Sequence, residues 1–169
     1  NLRNLAGVPS IVYGILGLSV FVRLMGLGPV ILAAALTLSL LVVPIVVIAA
    51  REGIRSVPGS LRQAAYGLGA TKSQVVFRVV LPAASSSIVT GVILGVARAL
   101  GETAPLLVIG AAVFVPTLPD GPLAQYTALP IQIYSWVGEN EPEFAHVASA
   151  GIVVLLGVLV LLYAVAFWL

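Results

Sequence analysis

The stretch REGIRSVPGSLRQAAYGLGATKSQVVFRVVLP, residues 51–82, decides how this chain folds, because it is a long polar passage between two strongly apolar parts of the sequence. It contains five of the eight basic residues and a single acid, Glu52. The basic residues are Arg51, Arg55, Arg62, Lys72 and Arg78. A surplus of positive charge between apolar runs is typical of a cytoplasmic segment that joins two membrane-spanning helices.

The composition of the whole chain is that of a membrane protein. Hydrophobic residues make up 60% of the sequence, charged residues make up 8%, and the mean hydropathy is +1.17. Soluble domains carry roughly 25% charged residues. We therefore expect an all-helical integral membrane protein, because a helix satisfies its own backbone hydrogen bonds inside lipid.

Four apolar runs are long enough to cross a membrane as helices. About 20 residues at 1.5 Å rise span a ~30 Å hydrocarbon core. The runs predict spans at about 8–24, 30–50, 84–112 and 144–169. The chain begins with Asn and ends at Leu169 without a polar tail, so we expect it to be part of a longer protein.

The polar stretch 51–82 predicts two short helices at the membrane surface. One covers LRQAAYGL, which follows the start signal of Pro58 and ends at glycines. The other runs from Lys72 to about Val80 and begins with a capping box of Thr71 and Gln74.

The segment 113–143 has the opposite character. It holds five prolines and four acids without a base, and LAQYTALPIQIYSWV within it predicts a partial interfacial helix. The contrast of charge places 51–82 in the cytoplasm and 113–143 outside it. Acids spaced through a proline-rich loop are usually solvated, so we expect no metal site there.

The polar stretch also carries a motif. Gln63-Ala64-Ala65, then Gly69, then Val79-x-Leu81-Pro82 resembles the EAA loop of bacterial ABC-importer permeases, whose pattern is EAA, G and I-x-LP at these spacings. Gln63 stands where that family has Glu, and Val79 where it has Ile. The segments NLAGVPSIVYG, GVARALGETAPLL and ALPIQIYSW are similar to phosphate-importer permeases of the PstA type.

This resemblance implies a fold and an activity. The chain would be the later part of a six-helix, type I ABC importer permease domain of a bacterial inner membrane, with the first helices missing. PstB-like ATPase subunits would dock at 51–82, and a PstS-like extracytoplasmic phosphate-binding protein near 113–143. A second, PstC-like permease would complete the pathway. ATP would be used by the partner, so no cofactor and no catalytic residue are expected in this chain.

The physical role of the polar stretch follows from its form. Two short helices at a membrane surface can seat in a cleft of a soluble partner and carry its motion into the helices they join. The resemblance implies that this partner is the ATPase subunit, with Ala64, Ala65 and Gly69 allowing close approach and Arg62 meeting its polar surface. The alternative is a solvated basic loop without a partner. The candidate coupling residues are Arg62, Gln63, Ala64, Ala65, Gly69, Leu81 and Pro82.

Arg98 and Glu102 are charged residues inside an apolar stretch, four positions apart, so they can pair. Intramembrane charges usually face a bundle interior or a water-filled path. Because a guanidinium binds phosphate oxygens in a forked geometry, Arg98 is the candidate anion contact. Glu102 would be its partner or a gate, and Thr103 could add a hydroxyl. Alternatively, the pair only locks one helix to another.

Gly91, Gly95 and Ala99 form a face of small residues that predicts close packing against another helix. Other functions stay open at this point. The chain could serve an importer for another oxyanion, such as molybdate or sulfate, or be a self-contained channel or secondary transporter. A membrane enzyme fits less well, because no nucleophile, base and orienting group converge.

Overall fold

The computed structural model describes residues 7–111, 114–116 and 118–168. Within these ranges every regular element is a helix, which confirms the predicted all-helical fold. The helices are α1 (Ser10–Leu24), α2 (Ile31–Ser56), α3 (Gly59–Gly67), α4 (Lys72–Gly101), α5 (Ala104–Val108), α6 (Leu129–Val137) and α7 (Pro142–Trp168).

Three of these helices are long and apolar enough to cross a membrane: α2 with 26 residues, α4 with 30 and α7 with 27. The helix α1 is apolar but shorter, and its last part, Leu18–Leu24, is a π-helix. At 1.5 Å per residue α1 reaches only about 22 Å, less than a ~30 Å hydrocarbon core. The four predicted spans therefore correspond to three full-length helices and one shorter one.

The centre of the fold is the packing of α2 against α4. A methyl group added at Gly91 would collide with the Ala49 side chain, and one added at Gly95 would lie 2.9 Å from Val42 Cγ1. Both glycines thus let the backbone of α4 lie directly on α2, as small residues do at membrane helix interfaces. Ala99 lies farther along α4 and lines an apolar groove of about 300 Å³ beside Val42.

The boundaries predicted for the third span are wrong at both ends. Instead of a separate surface helix at 72–80 and a span at 84–112, α4 runs without interruption from Lys72 to Gly101. Pro82 is tolerated because the preceding turns, Val76–Val80, form a π-helix in which the Leu81 N–H bonds the Val76 carbonyl.

We call the end of α4 at Gly101 its outer end, and the end at Lys72, with the neighbouring end of α2 at Ser56, the inner end. The outer end of α4 has a local cause as well. Pro105 has no N–H to bond the carbonyl of Gly101, four residues earlier, so an α-helix cannot continue through it intact. The chain instead turns extended at Glu102, with φ −79° and ψ 123°, and restarts as the short α5.

The segment after α5 is more compact than a solvated loop. Its backbone carbonyls at Pro122 and Ala124 accept the first N–H groups of α2, from Leu32 at 2.8 Å and from Ile31 at 3.1 Å. A buried cluster joins α2 to this segment and consists of Ala34, Leu106, Ile109, Ala111, Tyr126 and Ile131. The predicted interfacial helix over 123–137 forms only in its second half, as α6.

Candidate functional site

The first candidate site is the elbow, residues 57–82, which contains α3 and the first turns of α4. Gly69, at φ +81°, turns the chain between the two helices. The capping box predicted for Thr71 is confirmed. The Thr71 hydroxyl accepts a hydrogen bond from the Gln74 N–H at 3.4 Å, and the Thr71 N–H donates one to Gln74 Oε1 at 2.9 Å. The start of α4 is therefore fixed by local hydrogen bonds.

The elbow has a small apolar core of its own. Val57, Val75, Val80 and Ala84 are buried together. Ile54, Ala65, Ala70 and Ile88 pack around them. This core connects the inner end of α2, the helix α3 and the inner part of α4, so the elbow is a packed unit rather than a loose loop.

The outer surface of the elbow exposes apolar side chains in a basic region. Leu68 is 90% exposed and Phe77 is 68% exposed. Beside Leu68 lies a cavity of about 460 Å³, lined by Ala65, Leu68, Gly69, Ala70, Gln74, Arg78 and Val79. Exposed apolar residues are typical of surfaces that contact another protein or lipid.

The predicted coupling residues divide into two groups. Gln63, Ala64, Gly69 and Pro82 are exposed, whereas Ala65 and Leu81 are half-buried against the rest of the elbow. Arg62 differs from all of these, because its guanidinium turns inward. Arg62 Nη2 donates a hydrogen bond to the Ile54 carbonyl at 2.6 Å.

The second candidate site is the outer end of α4. Arg98 Nε lies 3.4 Å from Glu102 Oε1. Because Glu102 lies just past the end of the helix, the ion pair bridges the helix end and the extended residue that follows it. The Arg98 side chain is 49% exposed and that of Glu102 is 15% exposed, so Arg98 is the more exposed member of the pair.

Thr103 lies next to this pair. It precedes α5 directly, and it is half-buried, with no hydrogen bond from its side chain to the start of that helix. The structure thus brings Arg98, Glu102 and Thr103 together at one break between two helices. Along α4 this break is far from the elbow, because about 30 Å of helix separates Arg98 from Arg78.

A sequence model of one family, the binding-protein-dependent transport system inner membrane components, matches residues 4–169. The chain belongs to this family.

The chain is 42% identical to phosphate transport system permease protein PstA 1 of Mycobacterium tuberculosis (strain CDC 1551 / Oshkosh) over 132 residues, which are 74% of this chain and 43% of that protein. It is 38% identical to PstA of Mycobacterium leprae (strain TN) over 148 residues, 83% of this chain and 45% of that protein. A probable PstA of Methanocaldococcus jannaschii is 34% identical over 148 residues, 88% of this chain and 52% of that protein. The chain thus spans about half the length of these relatives.

As a member of this permease family, the chain shows two features that sequence reasoning did not identify. The exposed apolar residues of the elbow, above all Leu68 and Phe77, were not among the predicted site residues. Their signal was present, because they are large apolar residues within a basic segment. The inward direction of Arg62 had no signal in the sequence, since an arginine in a basic loop is usually solvated.

Proposed function

We propose that this chain is the membrane-spanning permease subunit of an ATP-driven importer of inorganic phosphate. The observation that carries the proposal is the elbow, a packed unit with the spacing of an EAA loop that presents apolar side chains and a cavity at the inner end of α4. The names of the relatives, which are phosphate permeases, support phosphate as the substrate.

The elbow is the proposed docking surface for ATPase subunits of the PstB type. Gln63 and Ala64 lie on its exposed surface, and Ala65 and Gly69 line the cavity, where a side chain of the ATPase would enter. Leu81 and Pro82 lie where the elbow passes into the apolar part of α4. ATP would be hydrolysed by the partner, and this chain would receive the resulting motion.

The continuity of α4 supports this mechanism. A motion at the elbow reaches the outer end of α4 through 30 residues of uninterrupted helix. Gly91 and Gly95 hold α4 close to α2, with Ala99 farther along, so these two helices form the packed pair that would rock between inward-open and outward-open states.

Arg98 is the proposed contact for the phosphate anion in the pathway. Its half-exposed guanidinium is held by Glu102 through Nε, and a phosphate oxygen would compete with that carboxylate for it. Glu102 would hold Arg98 between transport events, and the hydroxyl of Thr103 would donate to the same anion. This exchange needs no covalent chemistry.

The orientation and the remaining partners follow from the charges. The basic elbow would face the cytoplasm of a bacterial cell, and the acidic segment 113–143 would lie outside the inner membrane. A PstS-like phosphate-binding protein would dock near that segment. A PstC-like permease would lie beside this chain and form the other half of the pathway.

The test is uptake of labelled phosphate by vesicles that contain the full complex. We expect uptake that requires ATP and is reduced by excess unlabelled phosphate but not by molybdate or sulfate. Competition by molybdate or sulfate instead would assign the importer to another oxyanion. Uptake without ATP or any ATPase subunit would identify a self-contained transporter and would contradict the proposal.

A further inference from the structure

The carbonyl of Ile54, in the last turn of α2, has no hydrogen-bond donor within the helix, because of the residue that stands four positions later. In a continuing α-helix it would accept the N–H of the residue four positions later. That residue is Pro58, which has no N–H. A buried carbonyl without a donor is costly, so a donor from outside α2 is needed here.

Arg62 supplies that donor from the next helix. Its Nη2 lies 2.6 Å from the Ile54 carbonyl, in a half-buried position, and its Nε is buried without a hydrogen-bond partner in the described part of the chain. A charged donor makes a strong hydrogen bond to a carbonyl, and a positive charge at a helix C-terminus is favourable. By contrast, Arg51 and Arg55 near the same end of α2 are exposed.

The two helices attached to the elbow are connected to it differently. The elbow contains the beginning of α4, so any motion of the elbow enters α4 through helical backbone. The helix α2 is joined to α3 by Val57 and Pro58, which are both extended, with ψ of 121° and 136°. Two extended residues transmit an axial displacement less firmly than a helix does.

The helices α2 and α4 contact each other at close approach, mainly through small residues. Gly91 of α4 lies against Ala49 of α2, and Gly95 lies against Val42 and Val46. Packed helices can slide past one another by small shear motions. A polar tie at the inner end of α2 would prevent this sliding.

We infer that Arg62 is a positioning residue that ties α3 to the inner end of α2, so that ATPase motion received by the elbow moves α2 together with α4. The inference rests on the proposed function, because it requires an ATPase that drives the elbow. It replaces the expectation that Arg62 meets the surface of the ATPase. The residues that touch the ATPase are then the exposed ones, and Arg62 acts through the Ile54 carbonyl.

Spin-label distances in the assembled complex test this inference. Residues 1–169 contain no cysteine. Pairs of cysteines for spin labelling can therefore be introduced here, once any cysteine in the rest of the full-length protein has been replaced. One pair joins exposed Val47 on α2 to Val137 on α6, and the other joins exposed Val89 on α4 to the same Val137. Each distance is measured without nucleotide and with a trapped ATP analogue.

We expect both distances to change with nucleotide when Arg62 is present. With Arg62→Ala the α4 distance should still change, whereas the change in the α2 distance should fall by more than half. Phosphate transported per ATP should also fall, because ATP hydrolysis would then move α4 without α2. The control Arg55→Ala, which removes an exposed arginine of the same helix end, should alter neither distance.

A second variant distinguishes the loss of the link between α3 and α2 from the loss of a hydrogen-bond donor for the Ile54 carbonyl. Pro58→Ala together with Arg62→Ala restores a backbone N–H for the Ile54 carbonyl but no link to α3. We expect the double variant to assemble as the unmodified protein does while the α2 distance stays unresponsive. It also replaces Arg62→Ala if that variant alone does not assemble. Recovery of the α2 response in the double variant would overturn the inference.

The remaining outcomes are also decisive. If the α2 distance responds fully in Arg62→Ala, the tie does not exist. If both distances stop responding in Arg62→Ala, Arg62 acts at the ATPase surface and the inference is wrong. If neither distance responds to nucleotide even with Arg62 present while ATP-dependent uptake persists, the inference is wrong. Loss of ATP dependence of uptake in the unmodified complex would instead contradict the proposed function.

Discussion

The two ends of α4 differ in how they are stabilised and in which side chains they expose. At the inner end the helix begins with a capping box, contributes Val75 and Val80 to a small core, and leaves Leu68 and Phe77 of the elbow exposed. At the outer end it stops at a proline-determined break where Arg98 and Glu102 pair. The proposed function assigns the inner end to a protein partner and the outer end to a small anion, and the difference between the two ends makes these roles separately testable.

The segments next to the two ends differ in the same way. The outer segment, residues 113–143, is acidic, yet it buries Tyr126 and Ile131, and its carbonyls accept hydrogen bonds from the first N–H groups of α2. The elbow is basic and has a smaller core with apolar residues outside it. The charge of a segment therefore does not by itself show whether the segment packs against the rest of the chain or exposes apolar side chains.

The largest effect is expected from Leu68→Asp. If the elbow is the docking surface, a charge at its most exposed leucine should weaken ATPase binding by about 30-fold or more, as for a hot-spot residue. The matched control is Leu118→Asp in the outer segment, since Leu118 is 93% exposed and Leu68 is 90% exposed. Co-purification of the tagged ATPase checks both variants. Equal losses in the two variants would remove the distinction between the two ends.

A smaller effect, on phosphate uptake rather than on ATPase binding, is expected from Arg98→Lys. Lysine keeps the charge but loses the fork of donors, so phosphate uptake should fall about tenfold while ATPase binding stays unchanged. Arg23→Lys, at an exposed arginine at the end of α1, serves as the control and should leave uptake intact. Normal uptake by both Arg98→Lys and Glu102→Gln would leave the ion pair with a structural role only.

Thr71→Ala should have a local effect at the inner end alone. Loss of the cap costs about 1 kcal/mol, so within 72–75 the amides of Gln74 and Val75, which bond Thr71, should exchange hydrogen about fivefold faster. Thr71→Ser keeps the hydroxyl and should exchange at the original rate. Hydrogen–deuterium exchange measures both, and the amides of α6 provide an internal reference. Unchanged exchange at 72–75 would mean that packing of the elbow, not its cap, holds this turn.

The smallest effect at neutral pH is expected from Tyr126→Phe in the outer segment. The Tyr126 hydroxyl is buried without a hydrogen-bond partner among the described residues, so its removal should change the free energy of unfolding by less than about 1 kcal/mol. A loss above about 2 kcal/mol, measured by denaturant unfolding in detergent, would show that the hydroxyl has a partner.

The same residue predicts a pH dependence. Burial raises the pKa of Tyr126 well above its ordinary value near 10. Above that pH the unfolded tyrosine loses its proton while the folded one keeps it, so stability should decline as the pH rises beyond about 10. Tyr126→Phe should reduce this decline. An identical decline in both proteins would assign it to other groups.

Much of the fold could be predicted from the sequence, because its causes are local. Apolar runs long enough for a bilayer, the change from basic to acidic segments, and the Thr71 capping box each depend on neighbouring residues. The spacing of Arg98 and Glu102 allowed an ion pair, and the structure contains one. The predicted boundaries of the third span were wrong for two reasons. A π-helix accommodates Pro82 within α4, and Pro105 lacks the N–H that would bond the carbonyl of Gly101.

The sequence by itself determined the class of the molecule, since lipid leaves a polypeptide few ways to satisfy its backbone and makes apolar length the deciding quantity. Only the tertiary structure decided which polar residues are free to act. Arg62 turns to Ile54 because Pro58 leaves a carbonyl without a donor, and Tyr126 is buried because the outer segment packs on the start of α2. Both outcomes depend on contacts between separate elements, which the order of residues along the chain does not show.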